Sequence, residues 1–193
     1  MTEIEAFIER WRNGDERAAE AIYNRYRDRT FRLALGLLGD RADAEEVAQD
    51  ALAYALVHIH RFDARKALFT TWLHMITVSR CRDKQRRKLL PQISLTTWLQ
   101  RGQDVSDERG TPEQITTQHQ IRGHVWQAVQ ALKPNLREAV ILRYWAGHTY
   151  REMADILGCP VPTAQSRVRL AFNQLQSTLA PGELAFMEQE PQR

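Results

Sequence analysis

Apolar residues recur along this chain at intervals of three and four, and almost nowhere in strict alternation. That spacing is the helical one. Thr2-Glu3-Ile4-Glu5 has the form of a capping box, and Asn13-Gly14 stops the short helix it opens. Asp15 then caps a long segment to about Leu38, with Ala18, Ile22, Tyr26 and Leu33 as its apolar stripe. Gly39-Asp40-Arg41 is a turn, and a third helix is predicted from about Ala42 to His60. Residues 61–69 lose the period and read as a loop; a fourth helix starts near Thr70 and ends before Pro91.

Residues 91–111 are polar, aperiodic and end in a charged run with Gly110, which predicts a flexible linker. Trp98 and Leu99 are unusual there: they either pack on a neighbouring domain or lie in a channel of a partner. A second helical block opens at Thr111-Pro112-Glu113-Gln114, with Thr as cap, Pro at the first helical position and Gln at the third. This helix runs to about Leu132, and Pro134 begins another that Gly147 stops. Thr149-Tyr150-Arg151-Glu152 is a further capping box for a short helix ending at Gly158. Cys159 to Pro162 turns the chain into a last helix from about Thr163 to Leu179, followed by a frayed tail. The reading is all-α: two helical domains, 1–90 and 112–180, joined by the linker 91–111, with a tail at 181–193.

Charge sharpens this picture. Residues 61–90 carry nine basic side chains against two acids, whereas residues 1–60 carry eight basic against twelve acidic; the overall +3 conceals the reversal. Asp43, Glu46 and Asp50 share one face of the third helix, and Glu45 and Gln49 form a neighbouring row. Acids in a first helical turn favour the helix dipole, which accounts for Asp43, Glu45 and Glu46 but not Asp50. No cation nearby in sequence is spaced to neutralise the whole face, so a basic protein partner is expected. On the fourth helix, Phe69, Trp72, Leu73 and Ile76 form an apolar stripe whose sector continues as Arg80, Lys84, Arg87 and Lys88. Basic groups beside aromatics suit single-stranded or melting DNA. Core packing accounts for Trp72, and a helix end accounts for some of the charge; six basic groups between 80 and 88 exceed what a cap needs.

The segment 149–175 has the helix-turn-helix arrangement. On its second helix, Ala164, Val168, Ala171 and Leu175 fall on one face and Thr163, Ser166, Arg167 and Leu170 on another. The first packs inward. The second, with Arg169 beside it, has the residue types that read a major groove. The alternative is an ordinary helical hairpin with a polar outer face.

Composition excludes other classes. No apolar run approaches the ~20 residues that span a bilayer, and MTEIEAFIER is no secretory signal. A cytoplasmic protein without membrane insertion is expected. Cys81 and Cys159 read as two reduced thiols. The six histidines are scattered, so no metal is assigned; no cofactor, small-molecule substrate or enzymatic activity is expected.

In this order and register, AIYNRYRDRTFRLALGLLGDRADAEEVAQDAL, FTTWLHMIT and ALKPNLREAVILRYWAGHTYREMADILGCPVPTAQSRV resemble the extracytoplasmic-function (ECF) sigma factors, the small two-domain promoter-specificity subunits of bacterial RNA polymerase. The resemblance covers about residues 15–178. It implies that Asp43, Glu46, Gln49 and Asp50 bind the clamp coiled coil of the polymerase core. It implies that the loop Arg61 to Phe69, including Arg65 and Lys66, helps capture a flipped base of the minus-ten element, with Arg80, Lys84, Arg87 and Lys88 along the same strand. Thr163, Ser166, Arg167, Arg169 and Leu170 would contact the minus-thirty-five element of promoter DNA, and an anti-sigma factor is an expected partner. Departures from the family pattern are Pro162-Thr163-Ala164-Gln165-Ser166-Arg167 where Gly-Thr-Val-Lys-Ser-Arg is common, Leu170 and Phe172 where basic residues often follow, and Ser79 where Asn is frequent. They imply altered element preferences. Two other functions fit parts of the pattern: a stand-alone helix-turn-helix regulator, which leaves 43–50 and 61–90 unexplained, and a protein-interaction module that titrates an anti-sigma factor.

Overall fold

The computed structural model describes the backbone of residues 2–89 and 112–189 and the side chains of 2–88 and 119–185. The expected linker therefore lies outside the described residues. Nine α-helices are found among the described residues: α1 Glu3–Arg12, α2 Glu16–Leu38, α3 Arg41–Val57, α4 Phe69–Leu89, α5 Pro112–Ala131, α6 Pro134–Val140, α7 Tyr150–Leu157, α8 Val161–Gln176 and α9 Pro181–Gln189. The protein is all-α.

The caps are those the sequence announces. The Thr2 and Thr149 side chains each accept the backbone N–H three residues on, and Glu5 and Glu152 reciprocate. Gly39 and Gly158 end α2 and α7 in the left-handed conformation that other residues adopt only with strain. Three boundaries differ. The third helix ends at Val57, because His58 leaves helical geometry, and Ile59–Arg61 form a separate 3₁₀ turn. α8 begins two residues early, at Val161, with Pro160 in the cap position. Residues 181–189 are helical rather than frayed: the Glu183 carboxylate accepts the Ala180 N–H at 2.7 Å and pairs with the His124 ring at 2.7 Å, and Leu184 packs on the core. Pro181 at the first helical position and Glu183 at the third were the signal for it.

Two apolar clusters hold the helices. One lies wholly in the first block and joins α1 to α4 through Ile8, Ile22, Tyr26, Leu52, Phe62, Phe69 and Leu73. Burying each such side chain stabilises by about 1.5–3 kcal/mol. The other cluster crosses the chain. Leu33, Ala34 and Leu37 of α2, Ala44 and Val47 of α3 and Val78 and Cys81 of α4 pack with Val129, Leu136, Val140, Ile141, Met153, Leu157, Val168 and Leu175 of the second block. Gly36 makes this possible, since a Cβ there would lie 3.2 Å from Ile141. At that contact α6 continues as one π-helical stretch, Ile141–Trp145.

The seam between the blocks is also polar. Arg82 grips the Glu138 carboxylate with two hydrogen bonds of 2.8 and 2.7 Å. Thr71 donates to Glu152 at 3.3 Å, Gln130 to the Gly36 carbonyl at 2.7 Å and Arg137 to the Leu37 carbonyl at 3.1 Å. His74 and His148, both 4% exposed, meet nitrogen to nitrogen at 2.7 Å.

Candidate polymerase and nucleic-acid interface

Three surfaces carry the residues singled out by the sequence. The first is the N-terminal half of α3. Asp40 caps it by accepting the Asp43 N–H at 2.9 Å. The Asp43 carboxylate then meets Lys84 at 3.5 Å and also pairs with Lys88, while Glu46 accepts from Lys84 at 2.6 Å. The expectation that this face lacks a neutralising cation is thus corrected. The cations come from α4, about forty residues on, where sequence spacing cannot show them. Gln49 and Asp50 remain exposed, and Asp50 makes no ion pair among the described residues. The Lys84 ammonium is held charged above its ordinary range, chiefly by its hydrogen bond to Glu46, against partial burial.

The second surface is the 62–68 loop with the 3₁₀ turn before it and the flank of α4. Arg12 donates to the Ile59 and Phe62 carbonyls at 3.1 and 2.5 Å, tying the loop to α1. Asp63 accepts the Arg65 N–H and guanidinium at 3.0 Å each. That side-chain bond lowers the Asp63 pKa to about 2. Arg12, His60, Arg61, Ala64, Arg65 and Lys66 line a shallow open groove. Phe69 does not belong to it. It is 3% exposed, edge-on to Tyr26 and Phe62 at 5.0 and 5.4 Å, so in this conformation it braces the loop from below and its assignment as a DNA contact is corrected.

Tyr54 was not singled out, yet it organises this surface. Its hydroxyl accepts from Arg61 at 3.1 Å, the Arg80 guanidinium lies 4.9 Å over its ring, and His58 stacks on it at 4.0 Å. Cation–π contact of this kind contributes about 0.5–1 kcal/mol at exposed sites. The available signal was the sequence spacing: Tyr54, His58 and Arg61 stand at i, i+4 and i+7, although α3 ends at Val57 and Arg61 closes the 3₁₀ turn. Arg87 is exposed on the same helix end as Lys88.

The third surface is α8. Ala164, Val168, Ala171 and Leu175 are buried, as their spacing predicts. Thr163, Ser166 and Arg167 are half-buried, and Leu170 is 49% exposed. Arg169 is exposed but stands about 100° around the helix from Leu170, at the edge of that face rather than within it.

A short capped helix, a glycine turn and an outward polar helix, set behind a basic-aromatic four-helix block, have known counterparts. A family model for Sigma-70 region 2 matches residues 22–89, and one for Sigma-70, region 4 matches residues 122–175. The chain belongs to the sigma-70 family, in its ECF group. Sigma factors are initiation factors rather than enzymes. The RNA polymerase sigma-H factor of Pseudomonas aeruginosa is 28% identical over 179 residues, covering 90% of this chain and 92% of the relative. The ECF RNA polymerase sigma factor SigW of Bacillus subtilis is 26% identical over 181 residues, covering 91% and 96%. In fold, the sigma factor RpoE from Bartonella quintana, solved in complex with the anti-sigma factor NepR, is similar with a TM-score of 0.67 at 23% identity, covering 82% of this chain and 94% of that one. CnrH, solved in complex with the cytosolic domain of CnrY, gives 0.63 at 20% identity, covering 89% and 94%.

No group of three or more His, Cys, Asp or Glu able to hold a metal occurs among the described residues. Nor is any described helix long and apolar enough to cross a membrane. Burial raises the Cys81 thiol well above its ordinary value, with Glu138 adding to the shift, so it is an inert core group.

Proposed function

We propose that this ECF sigma factor binds RNA polymerase core through the α3 face of Asp43, Glu46, Gln49 and Asp50 and directs initiation at a specific set of promoters. The observation that carries the reading is the ordered match to region 2 over 22–89 and region 4 over 122–175. Each match falls on a block whose outward charge suits its role. Arg61, Arg65 and Lys66 in the groove, with Arg80, Lys84, Arg87 and Lys88 along α4, would hold the melted minus-ten strand. Phosphate contacts orient that strand, and a flipped base, which costs a few kcal/mol of stacking, needs such contacts to offset it. Thr163, Ser166, Arg167 and Leu170 would face the minus-thirty-five major groove, with Arg169 on adjacent phosphate.

The domains would then be 1–90 and 112–180, with 91–111 joining them, and the working compartment the cytoplasm. An anti-sigma factor is the expected regulator. Two fold relatives are described with such a partner or a cytosolic domain bound.

The test is whether the purified chain binds core polymerase and directs transcription from fragments of its host genome. Initiation at discrete sites supports the reading. Binding to core without initiation would move the assignment to a titrating module. No binding to core, with tight duplex binding, would move it to a stand-alone regulator.

A further inference from the structure

The seam that joins the two blocks contains a buried pair of histidines. His74 lies on α4, and His148 lies in the turn before α7. The His74 Nδ1 and His148 Nε2 atoms are 2.7 Å apart, so one nitrogen donates and the other accepts. The surroundings select the arrangement. His148 Nδ1 faces the Glu152 carboxylate at 3.8 Å, which favours a proton on that nitrogen. His148 Nε2 is then the acceptor, and His74 Nδ1–H donates to it. This leaves the buried His74 Nε2 without a partner. Both rings are therefore neutral in the closed seam, and a proton added to the pair has no good place to go. On Nε2 of His74 it sits unpartnered in a dry site, with the Arg29 charge also acting on it. On Nε2 of His148 it meets the His74 N–H head on.

Closure itself matters for promoter reading. Elements at minus ten and minus thirty-five are ~25 base steps apart, or ~85 Å at ~3.4 Å per step. A compact body of this size has a radius of gyration of about 16 Å and a diameter near ~40 Å. The closed form cannot touch both elements at once.

We propose that His74 and His148 form a proton-sensitive latch: while neutral they hold the two blocks together, and on protonation they release them into the open form that promoter recognition needs. The inference rests on the sigma-factor reading for its consequence, but not for its existence.

The sign follows from the two rings. Burial, then the neighbouring His148 and Arg29, lowers the His74 pKa from 6.5 to about 3; burial also lowers that of His148, with Glu152 opposing. Basic groups depressed in the closed state stabilise closure above the open-state value and lose that contribution as pH falls through it. With an open-state value near 6.5, going from pH ~7.5 to ~5.5 shifts the closed-to-open ratio about tenfold through His74, and His148 adds to it in the same direction. The other charged groups around the pair are Arg29 from α2, Arg143, whose guanidinium donates to the His148 carbonyl at 3.0 Å, and Glu152 from α7. The buried side chains of α3 are apolar. Glu152 is disfavoured as a charge by burial, but hydrogen bonds from Thr149 and Thr71 outweigh this and hold it below the ordinary carboxylate range, outside the histidine window.

The experiment is small-angle scattering of the full free chain at pH 7.5 and 5.5, with far-UV circular dichroism to show that the helices persist. The wild type should expand at the lower pH with its helices intact. A double variant, His74→Leu with His148→Leu, should show the same radius at both. A wild type that keeps one radius overturns the latch, and so does a double variant that expands as the wild type does. If the double variant loses helicity, His148→Gln, which keeps an acceptor for His74 but does not titrate, should diminish the response; an undiminished response overturns the proposal. No polymerase is present, so a failure here is distinct from a failure to bind core.

Discussion

The pair Arg82–Glu138 should respond asymmetrically to removal of either partner, and the structure sets the size of the difference. Glu138 keeps 10% of its side-chain exposure, and among the described residues its two oxygens are met by Arg82 alone. Arg82 keeps 39% and also reaches toward the Leu157 carbonyl at 3.5 Å, so its charge has water at hand. Arg82→Met strands a buried carboxylate. Breaking a fully buried pair costs ~3–5 kcal/mol, and the half-open arginine side discounts this to about 2–3 kcal/mol. The cost cannot exceed the free energy of closing the seam, because opening would hydrate the carboxylate. Glu138→Gln leaves a hydrogen-bonding amide beside a solvated guanidinium and should cost about 1 kcal/mol. The double variant removes the stranded charge and should be more stable than Arg82→Met alone. Urea unfolding followed by circular dichroism, extrapolated to water, reads all three. Equal costs for the two single variants, or a double variant at their sum, would refute the claim that a stranded carboxylate is what makes the seam costly to break.

Asp50→Arg, on the exposed part of the α3 face, should weaken core-polymerase binding with unchanged helicity; wild-type affinity in a pull-down against core would remove Asp50 from that surface. Arg167→Ala should cost about 1–3 kcal/mol of discrimination and relax one position of the minus-thirty-five element in a binding-site selection. Phe69→Ala should destabilise the first block by about 3–5 kcal/mol in urea unfolding, because a buried aromatic is lost, whereas a surface DNA contact would leave stability within about 0.5 kcal/mol.

Helix order was legible because its signals are local. The Thr2–Glu5 and Thr149–Glu152 boxes and the stops at Gly39 and Gly158 depend on residues within one turn of each other. The same signal marks α9, in Pro181 and Glu183, against the general tendency of chain ends to fray. Periodicity identified the inner face of α8 but treated Phe69 by its neighbours: an aromatic beside a basic loop reads as a nucleobase contact until the partners Tyr26 and Phe62 are seen. The seam was illegible for a different reason. Its pairs join residues 56 to 100 positions apart, as Arg82 with Glu138 and Leu37 with Arg137. No local pattern encodes such a partner.

The charge reversal along the first 90 residues therefore has two meanings at once. Read linearly, the acidic α3 and the basic end of α4 are separate outward surfaces. In the folded chain Lys84 and Lys88 lie against Asp43 and Glu46, so each surface is partly the counter-ion of the other. The strengths of these contacts decide what limits access. Lys88 and Glu46 are more than half exposed, at 57% and 58%, and exposed pairs contribute only about 0–1 kcal/mol each and weaken with salt. A polymerase helix or a phosphate can replace such a partner at little cost. The seam is different: it removes Leu37, Val78, Ile141 and Met153 from water together with a nearly buried carboxylate and two neutral imidazoles. Opening it must rehydrate all of these. On the proposed reading, the α3–α4 charge pairs would tune how strongly each partner is held, while the contact between α4 and the second block would determine whether one molecule reaches both promoter elements.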